Sequence, residues 1–460
     1  MLNQIKKIIP KPLIKVYHYL LAQAADFFYN SPSDKLIVIG VTGTSGKSTV
    51  VYLITKLLEA AGYKVGCVST ILFKVGQKEW LNDKKMTMIG RFALQKLIKQ
   101  MARANCQYAI IETTSQGIEQ FRHLGINYDI LVFTNLYPEH IEAHGSFENY
   151  KAAKLKLFAK LKDDQPKLIV GEKIKKTIIV NLDDECANDF LNFWAEDKYG
   201  FGITQKMTND KLQITNKFQI SNSKFKTLVA ENAEIKHDGS SFQVDNTQFN
   251  LKLLGKHNIY NALAAIAVGF SRGLSLSVLA KNLQNISGIP GRLEFINEGS
   301  FGSAQGKQLF KVVVDYAFEP KAISALYEVI KKIPHQKIIH VLGSAGGGRD
   351  ISRRPVLGKL AGENSDIVIV TNEDPYDEEP QNIIDQVAQG AIIAGKKLDQ
   401  NLFKILDRRE AIKKALSLAQ ANDLVLVTGK GSEQAIVEKN NKKIPWDDRV
   451  VVREEIRKRS

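Results

Sequence analysis

The stretch Leu36–Gly62, LIVIGVTGTSGKSTVVYLITKLLEAAG, decides how the rest of the chain is read. Leu36–Val41 is an unbroken apolar run of the kind that forms a buried parallel strand. It gives way to a turn with glycines at 40, 43 and 46, followed by Lys47, Ser48 and Thr49. Val50, Val51, Leu53, Ile54, Leu57, Leu58 and Ala61 then keep a helical period up to Gly62, a helix stop. Strand, glycine turn and helix together make a phosphate cradle. Backbone N–H groups and the helix N-terminus face the anion, Lys47 adds a point charge, and the Ser48 hydroxyl can ligate Mg²⁺. The common form of this loop has about four residues between its first glycine and the Gly-Lys pair. Here Gly40 leaves five.

Around this unit, 460 residues allow two or three domains, each large enough for its own core. An apolar content of 44% with 25% charged residues is ordinary for a globular protein. The net charge of +15 could attract nucleic acid or membrane, but the lysines are dispersed, which suits polyanionic small molecules such as nucleotides better. No nucleic-acid partner is expected. Cys67, Cys106 and Cys186 are far apart in sequence and form no metal-type spacing, so a reducing cytoplasm is the default compartment. Residues 1–33 read as a basic amphipathic helical lead-in, with Lys6, Lys7, Lys11 and Lys15 among apolar residues. No uncharged run approaches the ~20 residues needed to span a bilayer. Docking of this lead-in on the protein itself is favoured over contact with a membrane surface.

From Lys35 onward, apolar strands alternate with amphipathic helices, which argues for a parallel sheet with crossover helices. The expected fold class is α/β, with a P-loop central parallel-sheet domain over 34–288 and a Rossmann-like α/β domain over 289–460. Residues 203–254 change character. Short alternating runs such as Lys217–Ile220, Ser241–Val244 and Phe249–Leu253 read as antiparallel strands of a β-rich insertion. Ser287-Gly288-Ile289-Pro290-Gly291 is the expected hinge, after which βα alternation restarts.

Ligands of open parallel sheets bind beyond the carboxyl ends of the strands. Glu112 follows the strand Tyr108–Ile111, Asn135 follows Ile130–Phe133, and His140 lies five residues further on. With Ser48 they make a set of oxygen and nitrogen donors suited to Mg²⁺ and nucleotide phosphates.

The chain resembles the Mur ligases, and within them the branch that adds an amino acid to a UDP-N-acetylmuramoyl-dipeptide. The resemblance is carried by GVTGTSGKST (40–49), ETTSQG (112–117), VFTNLYPEHIEAHGSFENYKAAKLKLF (132–158), LLGKHNIYNALAA (253–265), IPGRLE (289–294), VVDYAFEP (313–320), GSAGGGRDISRRP (343–355), TNEDPYDEEP (371–380) and TGKGSE (428–433). It implies an ATP- and Mg²⁺-dependent carboxylate–amine ligase of peptidoglycan precursor synthesis. ATP would lie on Gly43, Thr44, Gly46, Lys47, Ser48, Thr49 and Asn135. Asn258, Arg292 and Asp315 would contact its adenine, phosphate and ribose. Lys47, Glu112, His140 and Lys154 would be catalytic, with Ser48, Glu112, His140 and Lys154 holding metal. Lys154 matches a lysine that is carbamylated in the family. Thr87, Ser115 and Arg122 would touch the UDP-sugar-peptide, and Arg349, Asp374 and Glu433 the incoming amino acid. Folylpolyglutamate synthases share the architecture and are the rival reading, beside a non-catalytic ligase-like scaffold. The block at 132–158 is more similar to the muramoyl-peptide branch.

Departures from the family pattern carry their own expectations. Thirty-nine residues precede Gly40 where the muramoyl ligases have a uridine-binding domain, so uridine recognition is expected to be absent, rebuilt by the lead-in or supplied by a partner. Glu139 stands for an aspartate, Phe318 and Gln116 for histidines. Tyr376 stands where diaminopimelate-adding enzymes have an arginine, and it cannot form a bidentate charge pair with a distal carboxylate. Lysine or another diamino acid fits as well as diaminopimelate.

Overall fold

A computed structural model describes residues 10–139, 141–204, 225–296, 310–348 and 351–459. The chain divides into two compact units, the second made mainly of Ser287–Ser460.

In the first unit the opening stretch forms strand β1 (Ile37–Thr42) and helix α2 (Lys47–Ala60), preceded by helix α1 (Lys11–Tyr29). Strands β2 (Val65–Val68), β3 (Leu72–Val75), β4 (Lys78–Leu81), β5 (Tyr108–Glu112), β6 (Ile130–Phe133), β9 (Thr177–Asn181), β10 (Asp197–Ile203), β11 (Phe225–Ile235), β12 (Ser240–Val244) and β13 (Thr247–Leu251) join β1 in one sheet. A small separate hairpin, β7 (Lys167–Ile169) and β8 (Glu172–Ile174), lies between β6 and β9 in sequence. The sheet order is β13-β12-β11-β10-β9-β6-β1-β5-β2-β3-β4. Every pairing from β11 to β2 is parallel, and the ends are finished by the antiparallel strands β12–β13 and β3–β4.

The stretch expected at 203–254 is β-rich, with Ser241–Val244 and Phe249–Leu253 falling on the antiparallel strands β12 and β13. It forms no layer of its own but continues the main sheet, and β11 runs parallel to β10. The pairings of β11 with β12 and of β12 with β13 are antiparallel, and the run Lys217–Ile220 lies outside the described residues. Strand β10 was hidden because Gly200 and Gly202 depress strand propensity. A Cβ on Gly200 would come within 2.5 Å of the Leu182 side chain, which would have to move to admit it.

Alternation along the strands covers both faces of the sheet. Val38, Ala109, Ile111, Leu131, Phe133, Ile178 and Val180 point to one side, into a core shared with helices α3 (Arg91–Arg103) and α6 (Phe147–Lys160). On the other side, α2 packs against α8 (Lys256–Ser271). The short helices α4 (Ser115–Glu119), α5 (Ile141–His144) and α7 (Ala187–Leu191), and α9 (Leu276–Gln284), complete this unit. Helix α1 lies against α3, burying Ala22 and Ala25. Among the described residues no helix is long and apolar enough to cross a membrane.

The second unit has a six-stranded sheet of order β14-β15-β19-β16-β17-β18. Its strands are β14 (Glu294–Phe295), β15 (Lys311–Asp315), β16 (Ile338–Leu342), β17 (Ile367–Thr371), β18 (Leu402–Ile405) and β19 (Leu424–Thr428), and only β14 is antiparallel. Helices α10 (Pro320–Ile330), α11 (Arg353–Asn364) and α12 (Pro380–Ile393) cover one face. Helices α13 (Arg408–Leu418) and α14 (Asp448–Arg457) cover the other. A hairpin of β20 (Ala435–Glu438) and β21 (Lys442–Pro445) precedes α14. A buried ion pair fixes α14, with Arg408 Nε and Nη2 donating to the two carboxylate oxygens of Asp448 at 2.8 and 2.6 Å.

Candidate active site

The loop between β1 and α2 lies at the carboxyl edge of the sheet, where β1 is flanked by β5 and β6. The chain crosses from β1 towards β2 on one side and from the neighbouring β6 towards β9 on the other, which makes this edge a topological switch point and opens a crevice. Gly46 precedes α2 in a left-handed conformation, φ 78°, and no side chain caps the first turn of the helix. That turn also lacks acidic residues, so its N–H groups and the positive end of the helix dipole are left for an anion. Gly43 is demanded by packing, because a Cβ there would lie 1.9 Å from Thr134 Oγ1.

The loop is held from β6 by Asn135. Its carbonyl accepts from Thr44 N at 2.8 Å, and its side-chain oxygen accepts from Ser45 N at 2.9 Å. Tyr150 OH donates to Thr44 Oγ1 at 3.1 Å. Lys47 Nζ donates to the carbonyls of Gly43 (3.0 Å) and Thr44 (2.7 Å). Lys154, buried on α6, brings a second lysine Nζ to Gly43 O at 2.7 Å, above the Tyr150 ring. Burial first, and then the neighbouring Lys47 charge, holds Lys154 well below the usual lysine range.

Ser48 Oγ donates to Glu112 Oε1 at 3.0 Å. Glu112 ends β5 and is buried, yet both its oxygens are satisfied, since Thr70 N donates to Oε2 at 2.7 Å and Thr70 Oγ1 to Oε1 at 3.1 Å. Thr70 in turn bonds Thr87 through their hydroxyls at 2.7 Å. A hydroxyl and a carboxylate side by side next to a phosphate loop are hard oxygen donors of the kind Mg²⁺ takes, with phosphate and water completing its shell. Among the described residues no three His, Cys, Asp or Glu side chains gather as a metal site. His140 and Arg349 lie outside the described residues.

Other predicted residues fall nearby but in separate contacts. Ser115 Oγ meets His144 Nε2 at 3.0 Å. Arg122 donates to Met88 O and, at 2.6 Å, to Gln120 Oε1, with Arg91 bonded to Gln120 O beside it. Burial and then the Arg91 charge lower the Arg122 pKa. Thr49 is buried in the first turn of α2. Asn258 Oδ1 accepts from Asn261 Nδ2 at 3.0 Å, and Asn261 lies against Gly46, where a Cβ would approach its oxygen to 2.3 Å. Thr70, Thr134, Tyr150, His144, Arg91 and Asn261 were missed from the sequence. Thr70 and Thr134 were legible in principle, as hydroxyl residues just past strand ends.

In the second unit, the Arg292 guanidinium lies 4.1 Å from the centre of the Tyr316 ring. Asp315 accepts from Leu293 N and Ala317 N, both at 2.6 Å, and burial raises its pKa. Lys430 is fully buried and donates to Asp374 Oδ1 and Glu433 Oε2, each at 2.8 Å. The two acids raise its pKa against the cost of burial. Glu433 also accepts from Tyr316 OH at 3.3 Å. Tyr376 has a left-handed backbone, φ 53°.

Fold and loop define a nucleotide-binding α/β protein with an Mg²⁺-compatible acid. The pattern of the Mur ligase middle domain matches residues 41–269, and that of the Mur ligase glutamate ligase domain matches 291–431. A UDP-N-acetylmuramyl-tripeptide synthetase of Roseiflexus sp. (strain RS-1) is 34% identical over 448 residues, 96% of this chain and 82% of the relative. A UDP-N-acetylmuramoyl-L-alanyl-D-glutamate--2,6-diaminopimelate ligase of Clostridium tetani (strain Massachusetts / E88) is 33% identical over 439 residues, 94% of this chain and 80% of the relative. The chain belongs to the Mur ligase family. A solved UDP-N-acetylmuramoyl-L-alanyl-D-glutamate--2,6-diaminopimelate ligase superposes with a TM-score of 0.57 at 28% identity, covering 92% of this chain and 78% of that one. Folylpolyglutamate synthase of Mycobacterium tuberculosis, solved with ADP and AMPPCP, gives a TM-score of 0.62 over 89% of this chain and 92% of that one. At 15% identity it shares the fold alone.

Proposed function

We propose that this chain is an ATP-dependent amide ligase that adds an amino acid to a UDP-N-acetylmuramoyl-peptide-like carboxylate in peptidoglycan precursor synthesis. The observation that carries the reading is the buried Ser48–Glu112 pair beside an uncapped helix N-terminus and two lysines. The acceptor carboxylate attacks the γ-phosphorus, the bond to the β-phosphate oxygen breaks, and ADP leaves. The amine of the amino acid then attacks the acyl phosphate, losing a proton as inorganic phosphate departs. Ser48 and Glu112 would hold Mg²⁺, which when bound offsets phosphate charge. The loop N–H groups and Lys47 bind and orient the phosphates. Thr70 and Thr87 keep the Glu112 carboxylate aimed at Ser48.

Lys154 is read as the site of a carbamate. A free amine takes up CO₂ and releases a proton, turning a cation into a carboxylate-like group. Support comes from its burial and lowered pKa, which raise the fraction of free amine. Thr87, Ser115 and Arg122 are assigned to the sugar-peptide. Asn258, Arg292 and Asp315 are assigned to the nucleotide, and Asp374 and Glu433, bridged by Lys430, to the amino acid. Because Tyr376 offers no cation, lysine and diaminopimelate are both candidates. The reaction is placed in the cytoplasm, where the three free, buried cysteines would stay reduced.

The test is phosphate release with ATP, Mg²⁺ and paired substrates. A ligase releases phosphate only when both a muramoyl-peptide acceptor and an amino acid are present, and forms a product heavier by the amino acid less water. Release without an acceptor, or turnover of folates instead, would overturn the reading.

A further inference from the structure

Helix α1 is amphipathic in an unusual way, because it is apolar on two sides. Ile14, Leu21, Ala22 and Ala25 form the side turned towards the protein, where α1 lies on α3. The side left exposed carries Leu13, Val16, Tyr17 and Leu20, spaced at three and four residues, and further along Phe27 and Phe28. Leu13 and Leu20 are each 59% exposed, Phe28 71% and Phe27 88%. From Leu13 to Phe28 this stripe runs about 22 Å along the helix. It continues onto α3 through Phe92, whose ring centre is 6.1 Å from that of Phe28.

Charge says what such a stripe is suited to. The two packed helices carry Lys15, Arg91, Lys96, Lys99 and Arg103 against one acid, Asp26. Asp26 accepts from Ser31 Oγ at 3.1 Å, and burial raises its pKa. Lys96 and Arg103 lie on the exposed side of α3, the side that Phe92 shares. Apolar and aromatic residues with cations and no exposed acid on the helices themselves are the composition of a helix that lies in a bilayer interface, rings at headgroup depth and cations among anionic lipids. A second copy of the chain would bring the same cations and a net charge of +15 against its own. An anionic surface is favoured by the very charge that opposes self-association.

We propose that the exposed face of α1, with the basic flank of α3, docks this protein peripherally on an anionic lipid bilayer. The helix lies in the plane of the interface and does not cross it.

The experiment is sedimentation of the full chain with vesicles of phosphatidylglycerol and phosphatidylcholine in equal parts, and with pure phosphatidylcholine vesicles. The wild type should pellet with the anionic vesicles, less with the neutral ones, and less as salt is raised. The double variant Leu20→Glu, Phe27→Glu should weaken binding by about tenfold or more. Leu168→Glu, at an exposed position of the separate β7–β8 hairpin, should not. Both variants should keep the wild-type melting temperature, since the altered side chains are exposed. Equal partition of wild type and double variant, or no binding by the wild type, would overturn the proposal. So would a wild-type dimer in sedimentation equilibrium that the double variant abolishes, which would assign the stripe to a second copy.

Discussion

Ser48 Oγ stands 3.0 Å from Glu112 Oε1, while Thr70 N–H holds the other carboxylate oxygen at 2.7 Å. The carboxylate is thus fixed by the Thr70 backbone between β2 and β3, and two hydroxyls, those of Ser48 and Thr70, share its other oxygen. Glu112→Gln keeps the size and an acceptor oxygen but removes the charge that would face a divalent cation. It should lower kcat by about a hundredfold or more while leaving the melting temperature nearly unchanged. Ser48→Ala should lower kcat similarly and also cost about 1 kcal/mol in stability. Steady-state phosphate release and thermal melts check both.

Lys154 gives a separable prediction. Lys154→Ala should abolish ligation, and a short carboxylic acid such as acetate should restore part of it by occupying the vacated volume with a carboxylate. Lys154→Arg, which cannot take up CO₂, should be inactive and should not be rescued. A fully active Lys154→Ala would remove the carbamate from the mechanism.

The Arg408–Asp448 pair is buried and bidentate, and Arg408 also donates to Thr428 O at 2.7 Å. Removing one partner leaves an uncompensated charge in the core. Arg408→Ala should destabilise the second unit by about 3–5 kcal/mol, read from urea unfolding. Arg408→Lys should recover little, because one ammonium cannot replace the fork.

His340 is fully buried between Tyr327 OH (2.6 Å) and Thr428 Oγ1 (2.9 Å), and burial lowers its pKa from 6.5 to about 3. The unfolded chain takes up a proton as pH falls through 6.5, and the native state does so only near 3. Its contribution is therefore fully present above 6.5 and is lost progressively between 6.5 and about 3. His340→Gln should be less stable than wild type at neutral pH, yet lose less on acidification. Urea midpoints of both proteins across that window check it.

The phosphate loop and most strands were legible because burial on both faces writes continuous apolar runs, as at Ile37–Thr42 and Leu424–Thr428. The ends of α10 and α12 were legible from Pro320 and Pro380. What sequence could not show was placement. Lys154 looks like one of three lysines on a solvated helix until the fold buries it and leaves Lys151 and Lys156 at the surface in ion pairs. Thr70 has a local signal in its place just past a strand end, but its partner, a carboxylate 42 residues away, does not show in the sequence. The helix α11 was hidden by polar and basic residues, of which Arg354 proves buried on Glu378 and Gln386. The lead-in was expected to dock on the protein, and α1 does so along one side only.

The main sheet is finished at each rim by antiparallel strands, β3–β4 at one and β12–β13 at the other, with β1, β5 and β6 at its centre. Hairpin connections tolerate insertions and deletions far better than crossovers do. Descendants of such a chain can lengthen, shorten or redecorate either rim without moving the register that sets Gly40 opposite Ile111 and Leu131. Heritable variation is thereby steered to the periphery, and the catalytic strands can stay unchanged while the outline of the enzyme drifts.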